Sequence, residues 1–227
     1  MEKINFVKKK IMQSKEATTA RLLSDQAPFP LATFKPKPKP RLYTLGEYLH
    51  REERAVEKHE YYNGQIIRLP VARGTHNEIA MNIATAIKFA VKSLPKRYRI
   101  FSSDQKIYLP TLNFGLYPDV LVVCEKPEYW DNNEILMTNP VLIVEVLSKS
   151  TKSYDRGDKF LEYKTLPSFM EYVLIEQTKY SAETFYREEP NLWRNNIVTD
   201  PTGTLSLQSL GCSIQMADIY EHIEFPA

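Results

Sequence analysis

The stretch Asn139–Lys164, NPVLIVEVLSKSTKSYDRGDKFLEYK, decides how the chain is read. From Val141 to Val146 every residue except Glu145 is apolar, and most are β-branched. An apolar run without alternation marks a central strand covered on both faces. A carboxylate inside such a strand loses its water, so Glu145 needs a cation, a hydrogen-bond donor or a raised pKa. Upstream, Tyr117–Val123 (YPDVLVV) repeats the arrangement, with Asp119 at the mouth of a second apolar strand. If the two strands pair, two carboxylates converge, and a divalent cation between them would relieve their repulsion. Downstream, the hydroxyls of Ser148–Thr151 can cap a helix on which Asp155, Lys159 and Tyr163 recur every four residues and so share one side. Each residue also has a plain structural reading: Asp119 as a turn residue after Pro118, Glu145 as the partner of an arginine, Lys159 as a solvated lysine paired with Asp155. It is the set of three that points to a place for a metal and a phosphate.

The order of these residues carries a resemblance. Tyr117-Pro118-Asp119-Val120, Val144-Glu145-Val146-Leu147-Ser148, then Asp155, Lys159 and Tyr163, and finally Glu171–Ile175 (EYVLI) resemble the bacterial restriction-endonuclease family called the Uma-two group, within the PD-(D/E)XK nuclease superfamily. The resemblance runs from about Tyr43 to about Ile219, and Glu60 and Gly64 in HEYYNGQI and His76 are further matches. The superfamily's usual lysine, two places after the second acid, is replaced here by Leu147, and Lys159 on the next helix matches the family's alternative position. Gln65, Lys149 and Glu176 depart from the usual pattern without removing the expected ligands.

What the resemblance implies is an α/β, restriction-endonuclease-like fold, a mixed β-sheet core flanked by helices, and hydrolysis of DNA with Mg²⁺ or Mn²⁺. Asp119 and Glu145 would hold the metal and Lys159 would complete the catalytic set. Glu60 would be a third acid near the metal, and Asp155 and Tyr163 would position Lys159. The alternative is a nuclease-fold module that binds nucleic acid or another partner without turnover.

A chain of 227 residues, 43% hydrophobic, can bury one sizeable core, so one domain over 41–227 is expected, preceded by an extension over 1–40. That extension holds nine Lys or Arg against three acids, +6, which leaves −4 for the remainder. Its Lys-Pro alternation from Lys35 to Pro40 predicts an extended, flexible segment, read either as an arm that tracks phosphates or as a solvated tail. Cys124 and Cys212 lack metal-ligand spacing and are expected to be reduced, buried thiols of a cytoplasmic protein. No apolar run approaches the roughly 20 residues needed to span a bilayer, and Met1–Leu23 lacks a signal-peptide core, so no membrane association is expected.

Thr44 with Glu47 predicts a capped helix to about Lys58. Asn63-Gly64 predicts the two-residue turn of a hairpin over 61–69. The spacing of Ile79, Ile83, Ala86, Ile87 and Ala90 predicts an amphipathic helix from His76 to about Leu94. His76, at its amino end, is a candidate phosphate ligand or water polariser as well as a simple cap. The segment Ile100–Leu109 reads as one strand beside that of Asp119, which would bring Gln105 to the cleft or leave it a structural polar residue. Ser181–Arg187, Leu192–Val198 and Gly203–Leu207 read as added antiparallel strands, with Tyr186 and Trp193 offering the surface of a homodimer. Met216–Ile223 reads as a short closing helix.

Overall fold

The structure, a computed structural model, describes residues 41–149 and 151–225. The expected extension over 1–40 lies outside the described residues. The first helix, α1 (Leu45–Glu52), opens with the capping box between Thr44 and Glu47. It is shorter than expected. The Glu52 carboxylate accepts from His59 N at 2.8 Å and from the Tyr117 hydroxyl at 3.0 Å, tying the helix end to the following strands. The hairpin β1 (His59–Tyr62) and β2 (Gln65–Arg68) turns at Asn63-Gly64, whose φ values of 43° and 100° are those a tight hairpin requires. Helix α2 (Gly74–Ala90) buries Ile79, Ile83 and Ile87 completely, each burial contributing about 1.5–3 kcal/mol.

The expected strand over 100–109 is two strands. β3 (Tyr98–Ser102) and β4 (Lys106–Leu109) are parted by a turn at Ser103-Asp104 and enter different sheets. The first sheet takes β5 (Phe114–Leu116) and β7 (Leu136–Met137) in the order β2-β1-β5-β4-β7. The second is the principal one. With β6 (Val120–Cys124), β8 (Leu142–Leu147), β9 (Glu171–Glu176), β10 (Ala182–Glu189) and β11 (Leu192–Val198), it runs β11-β10-β9-β8-β6-β3. β8 lies antiparallel to β6 and parallel to β9, so the sheet is mixed, as expected.

Every residue of β8 is buried, and its pleat divides them. Leu142, Val144 and Val146 join the cluster beneath α2, whereas Ile143 and Leu147 join the cluster on the opposite face. Glu145, at odd parity, falls on that second face. There it meets the paired short helices α3 (Lys152–Arg156) and α4 (Asp158–Tyr163). One helix was expected; the backbone breaks at Gly157 (φ −113°, ψ −96°), yet Asp155, Lys159 and Tyr163 all remain buried.

The three expected carboxyl-terminal strands form, the third as β12 (Thr204–Leu207), which pairs with an unforeseen β13 (Cys212–Gln215) in a separate two-stranded sheet leading into α5 (Met216–Ile219). Trp193 is not a free-standing surface aromatic, because its ring packs 5.0 Å from Phe160 and 5.4 Å from Phe169. Cys124 and Cys212 are free but only partly buried. Among the described residues no helix is long and apolar enough to cross a membrane.

Candidate active site

Pairing of Val120 with Val144 sets Asp119 and Glu145 across from one another at the end of the β6–β8 ladder. Opposite residues of an antiparallel pair point to the same side, which brings the two acids together at the cleft. Asp119 Oδ2 accepts from Val146 N at 2.7 Å, which fixes its carboxylate against the central strand. The same oxygen lies 3.2 Å from His76 Nε2. Glu145 Oε1 accepts from the Tyr163 hydroxyl at 2.7 Å and lies 2.8 Å from Lys159 Nζ. These contacts engage one oxygen of each acid, and each keeps a second for a ligand.

Lys159 is surrounded. Besides Glu145, its ammonium lies 3.7 Å from Asp155 Oδ1 and 3.9 Å from Glu60 Oε1. Among the described residues it is the one Lys or Arg within 4 Å of any of these three acids. Burial opposes its charge, but the carboxylates of Glu145, Glu60 and Asp155 outweigh that and hold the ammonium well above its usual pKa. Burial pushes Glu145 well above the usual carboxylate range, with Asp119 and Asp155 adding to the rise and Lys159 only partly opposing it. Burial likewise raises Asp155. One fixed ammonium is therefore shared among several buried acids, an imbalance that a second, mobile cation would correct.

The oxygen-only donor set of Asp119 and Glu145 suits a hard divalent cation such as Mg²⁺. Glu60 stands behind them, 3% exposed, with Oε1 accepting from Tyr117 N at 3.1 Å and Oε2 from the Tyr62 hydroxyl at 2.6 Å. Among the described residues no three His, Cys, Asp or Glu side chains already converge as a metal site.

Of the residues singled out from sequence, Asp119, Glu145, Lys159, His76 and Asp155 line one open cleft of about 1340 Å³. Tyr163 and Glu60 support its floor from beneath. His76 Nδ1 is buried and makes no geometric hydrogen bond among the described residues, and burial, which opposes the imidazolium, is outweighed by Asp119 together with Val146 and Asn77, so the pKa is raised. Gln105 is elsewhere: its amide donates to the carbonyls of Lys106, Glu134 and Ile135 and ties two loops together, the structural role.

Sequence reasoning missed the support of Glu60. Tyr62 lies 2.8 Å from the Tyr154 hydroxyl, which donates to Glu162 Oε2 at 2.6 Å. Glu60, Tyr62, Tyr154 and Glu162 thus form one hydrogen-bonded chain. Burial raises the pKa of Glu162, and the hydrogen bond from Tyr154 opposes the rise. It also missed Lys106, a lysine 1% exposed whose ammonium lies 4.3 Å from the Tyr48 ring and 4.7 Å from that of Tyr117, and which burial lowers to about 8. Alternation within a strand gave no sign of either arrangement.

A sequence model of the Uma2 family, described as "Putative restriction endonuclease", matches residues 45–217. The uncharacterized protein sll1609 of Synechocystis sp. is 37% identical over 153 residues, covering 67% of this chain and 85% of that one. The uncharacterized protein slr1290 of the same organism is 34% identical over 181 residues, covering 79% and 92%. Among solved structures, one described as a putative nuclease belonging to DUF820, from Anabaena variabilis, superposes with a TM-score of 0.61 at 18% identity over 80% of this chain and 99% of that one. That likeness extends the shared fold to a solved structure, and the family match spans the acids, the lysine and the strands that carry them. The chain belongs to the Uma2 restriction-endonuclease family.

Proposed function

We propose that the protein is a divalent-metal-dependent nuclease that hydrolyses phosphodiester bonds of DNA in the cleft of Asp119, Glu145 and Lys159. The observation that carries this reading is the gathering of three buried acids, Glu145, Glu60 and Asp155, around one ammonium that cannot neutralise them all, with Asp119 across the ladder from Glu145. The family description supports a nucleic-acid substrate.

Asp119 and Glu145 would hold Mg²⁺ or Mn²⁺, with Glu60 behind them. The bound cation would supply a Lewis acid for the scissile phosphate and a water of lowered pKa. Lys159 would present its ammonium to a phosphate oxygen and orient the attacking water. Tyr163 would fix the Glu145 carboxylate, Asp155 would hold Lys159, and His76 would hold Asp119. Cutting both strands of a duplex would call for two copies about a two-fold axis, with the β11 edge of the principal sheet as the place where they meet. Light scattering tests that pairing, and a monomer at every concentration would leave nicking as the activity.

Asp119→Ala, Glu145→Ala and Lys159→Ala should each slow Mg²⁺-dependent cleavage roughly 100- to 1000-fold with the circular dichroism spectrum unchanged. Any of the three cutting at the parent rate would overturn the assignment. The unassembled metal geometry favours a second reading, a module that binds nucleic acid and does not cut. Metal binding without cleavage of any DNA form would select it.

A further inference from the structure

The wall of the cleft is chemically unlike its floor. Val56 is fully exposed and Val71 is 83% exposed, and both line the cleft that contains Asp119 and Glu145. They belong to one lip, because Leu69 N donates to Lys58 O at 2.8 Å and holds the segment before Val71 against the segment after Val56. Pro70 continues that lip, and Met81, 63% exposed, lines the cleft from α2. Two cations, Arg73 and Lys149, line the same cleft as these apolar groups. Among the described residues neither has a carboxylate within 4 Å, whereas Lys58 is paired with Asp104 and Lys152 with Glu176.

A phosphate gains nothing from valine or proline side chains, and a sugar little. A base does, because its face is apolar and is shielded in a duplex by its stacked neighbours. Apolar side chains that touch bases act on strands already unpaired, or act as wedges at the expense of unstacking. The cleft is also larger than the roughly 300–1,000 Å³ typical of a small-molecule pocket, which suits a polymer strand passing through it.

Building on the nuclease reading, we propose that the substrate enters this cleft as a locally unpaired strand, with a base resting on the lip of Val56, Pro70 and Val71 and the flanking phosphates taken by Arg73 and Lys149. Single-stranded, flapped or frayed DNA is then preferred over continuous duplex. The lip acts on the base and the two cations act on the backbone, so their substitutions have different signatures.

Fluorescence anisotropy with a labelled single-stranded oligonucleotide and a hairpin duplex of the same sequence tests this, with Ca²⁺ replacing Mg²⁺ and strand integrity checked by electrophoresis. The parent should bind the single strand about tenfold more tightly or better, since the duplex must be unstacked first. The double variant Val56→Ser, Val71→Ser, at two exposed positions, should lose about tenfold on the single strand and little on the duplex. Arg73→Ala and Lys149→Ala should weaken both alike and each reduce the salt dependence by roughly one phosphate contact. Equal affinity of the parent for the two forms, or no effect of the serine pair, would overturn the inference. So would a change in the mass of the protein on making that pair, which would make the lip a contact between copies. A protein that shows these binding signatures and never cuts fails the nuclease reading alone; one that cuts both forms equally, unaffected by the serine pair, fails this inference alone.

Discussion

Glu145 and Glu171 are two buried glutamates on adjacent parallel strands, 3% and 0% exposed, and they are satisfied in opposite ways. Glu171 is held by neutral donors from one turn: Gln208 N at 3.1 Å, Ser209 N at 2.8 Å and Ser209 Oγ at 2.7 Å. Burial still raises its pKa, but those three hydrogen bonds oppose the rise. Glu145 has one hydroxyl and a share of one ammonium. A carboxylate that serves the fold has its partners fixed around it, whereas one that serves a ligand is left short of positive charge. The two cannot be told apart by burial, strand position or residue type.

The strongest way to break this contrast is to replace each with glutamine. Glu145→Gln should reduce cleavage roughly 100- to 1000-fold and change stability by less than about 1 kcal/mol, because Lys159 keeps Asp155 and Glu60. Glu171→Gln should do the reverse. Its amide N–H would face the backbone donors of Gln208 and Ser209, destabilising the fold by about 2–3 kcal/mol, while cleavage per folded molecule is retained. Urea unfolding beside a cleavage assay reads both. A Glu171→Gln protein that is stable and inactive would dissolve the distinction.

Lys106 extends the contrast to a buried cation that has no carboxylate within 4 Å among the described residues, with Glu52 and Glu60 acting on it only from farther away. Its pKa in the fold is about 8, below the roughly 10.4 of an unfolded lysine. Between these values the unfolded chain binds more protons, so stability rises with pH there, and below pH 8 the full penalty applies. Lys106→Met should therefore stabilise the protein by about 3 kcal/mol at pH 7. The gain should shrink above pH 8 and vanish by about pH 10 in thermal melts; a gain independent of pH would mean that packing, not charge, is the cause. The smallest effect is expected of Tyr163→Phe, which removes one donor from Glu145 and should slow cleavage roughly tenfold.

The two strands that carry Asp119 and Glu145 were legible because each is an apolar run broken by one acid. Lys159 was legible through its four-residue spacing with Asp155 and Tyr163, which survives the break at Gly157 because both short helices lie against the same face of β8. The parting of β3 from β4 left a trace that the single-strand reading passed over: Ser102–Lys106 is a run of five polar residues with turn formers at Ser103-Asp104. β5 and β7, three and two residues long, are too short for any period to show. The Tyr62–Tyr154 contact joins residues 92 apart and leaves no local trace. Lys106 and Glu171 carry no sign in their neighbours that one lies between tyrosine rings and the other is capped by a distant turn.

If Glu145 is short of positive charge because a divalent cation belongs beside it, that cation should bind to the protein in solution. Calorimetric titration of Mg²⁺ or Mn²⁺ into the parent, Glu145→Gln and Glu171→Gln proteins tests it directly. The parent should bind saturably, Glu145→Gln with an affinity lowered at least about tenfold, and folded Glu171→Gln as the parent does. A parent that binds neither ion, or a Glu145→Gln protein that binds as the parent does, would contradict it.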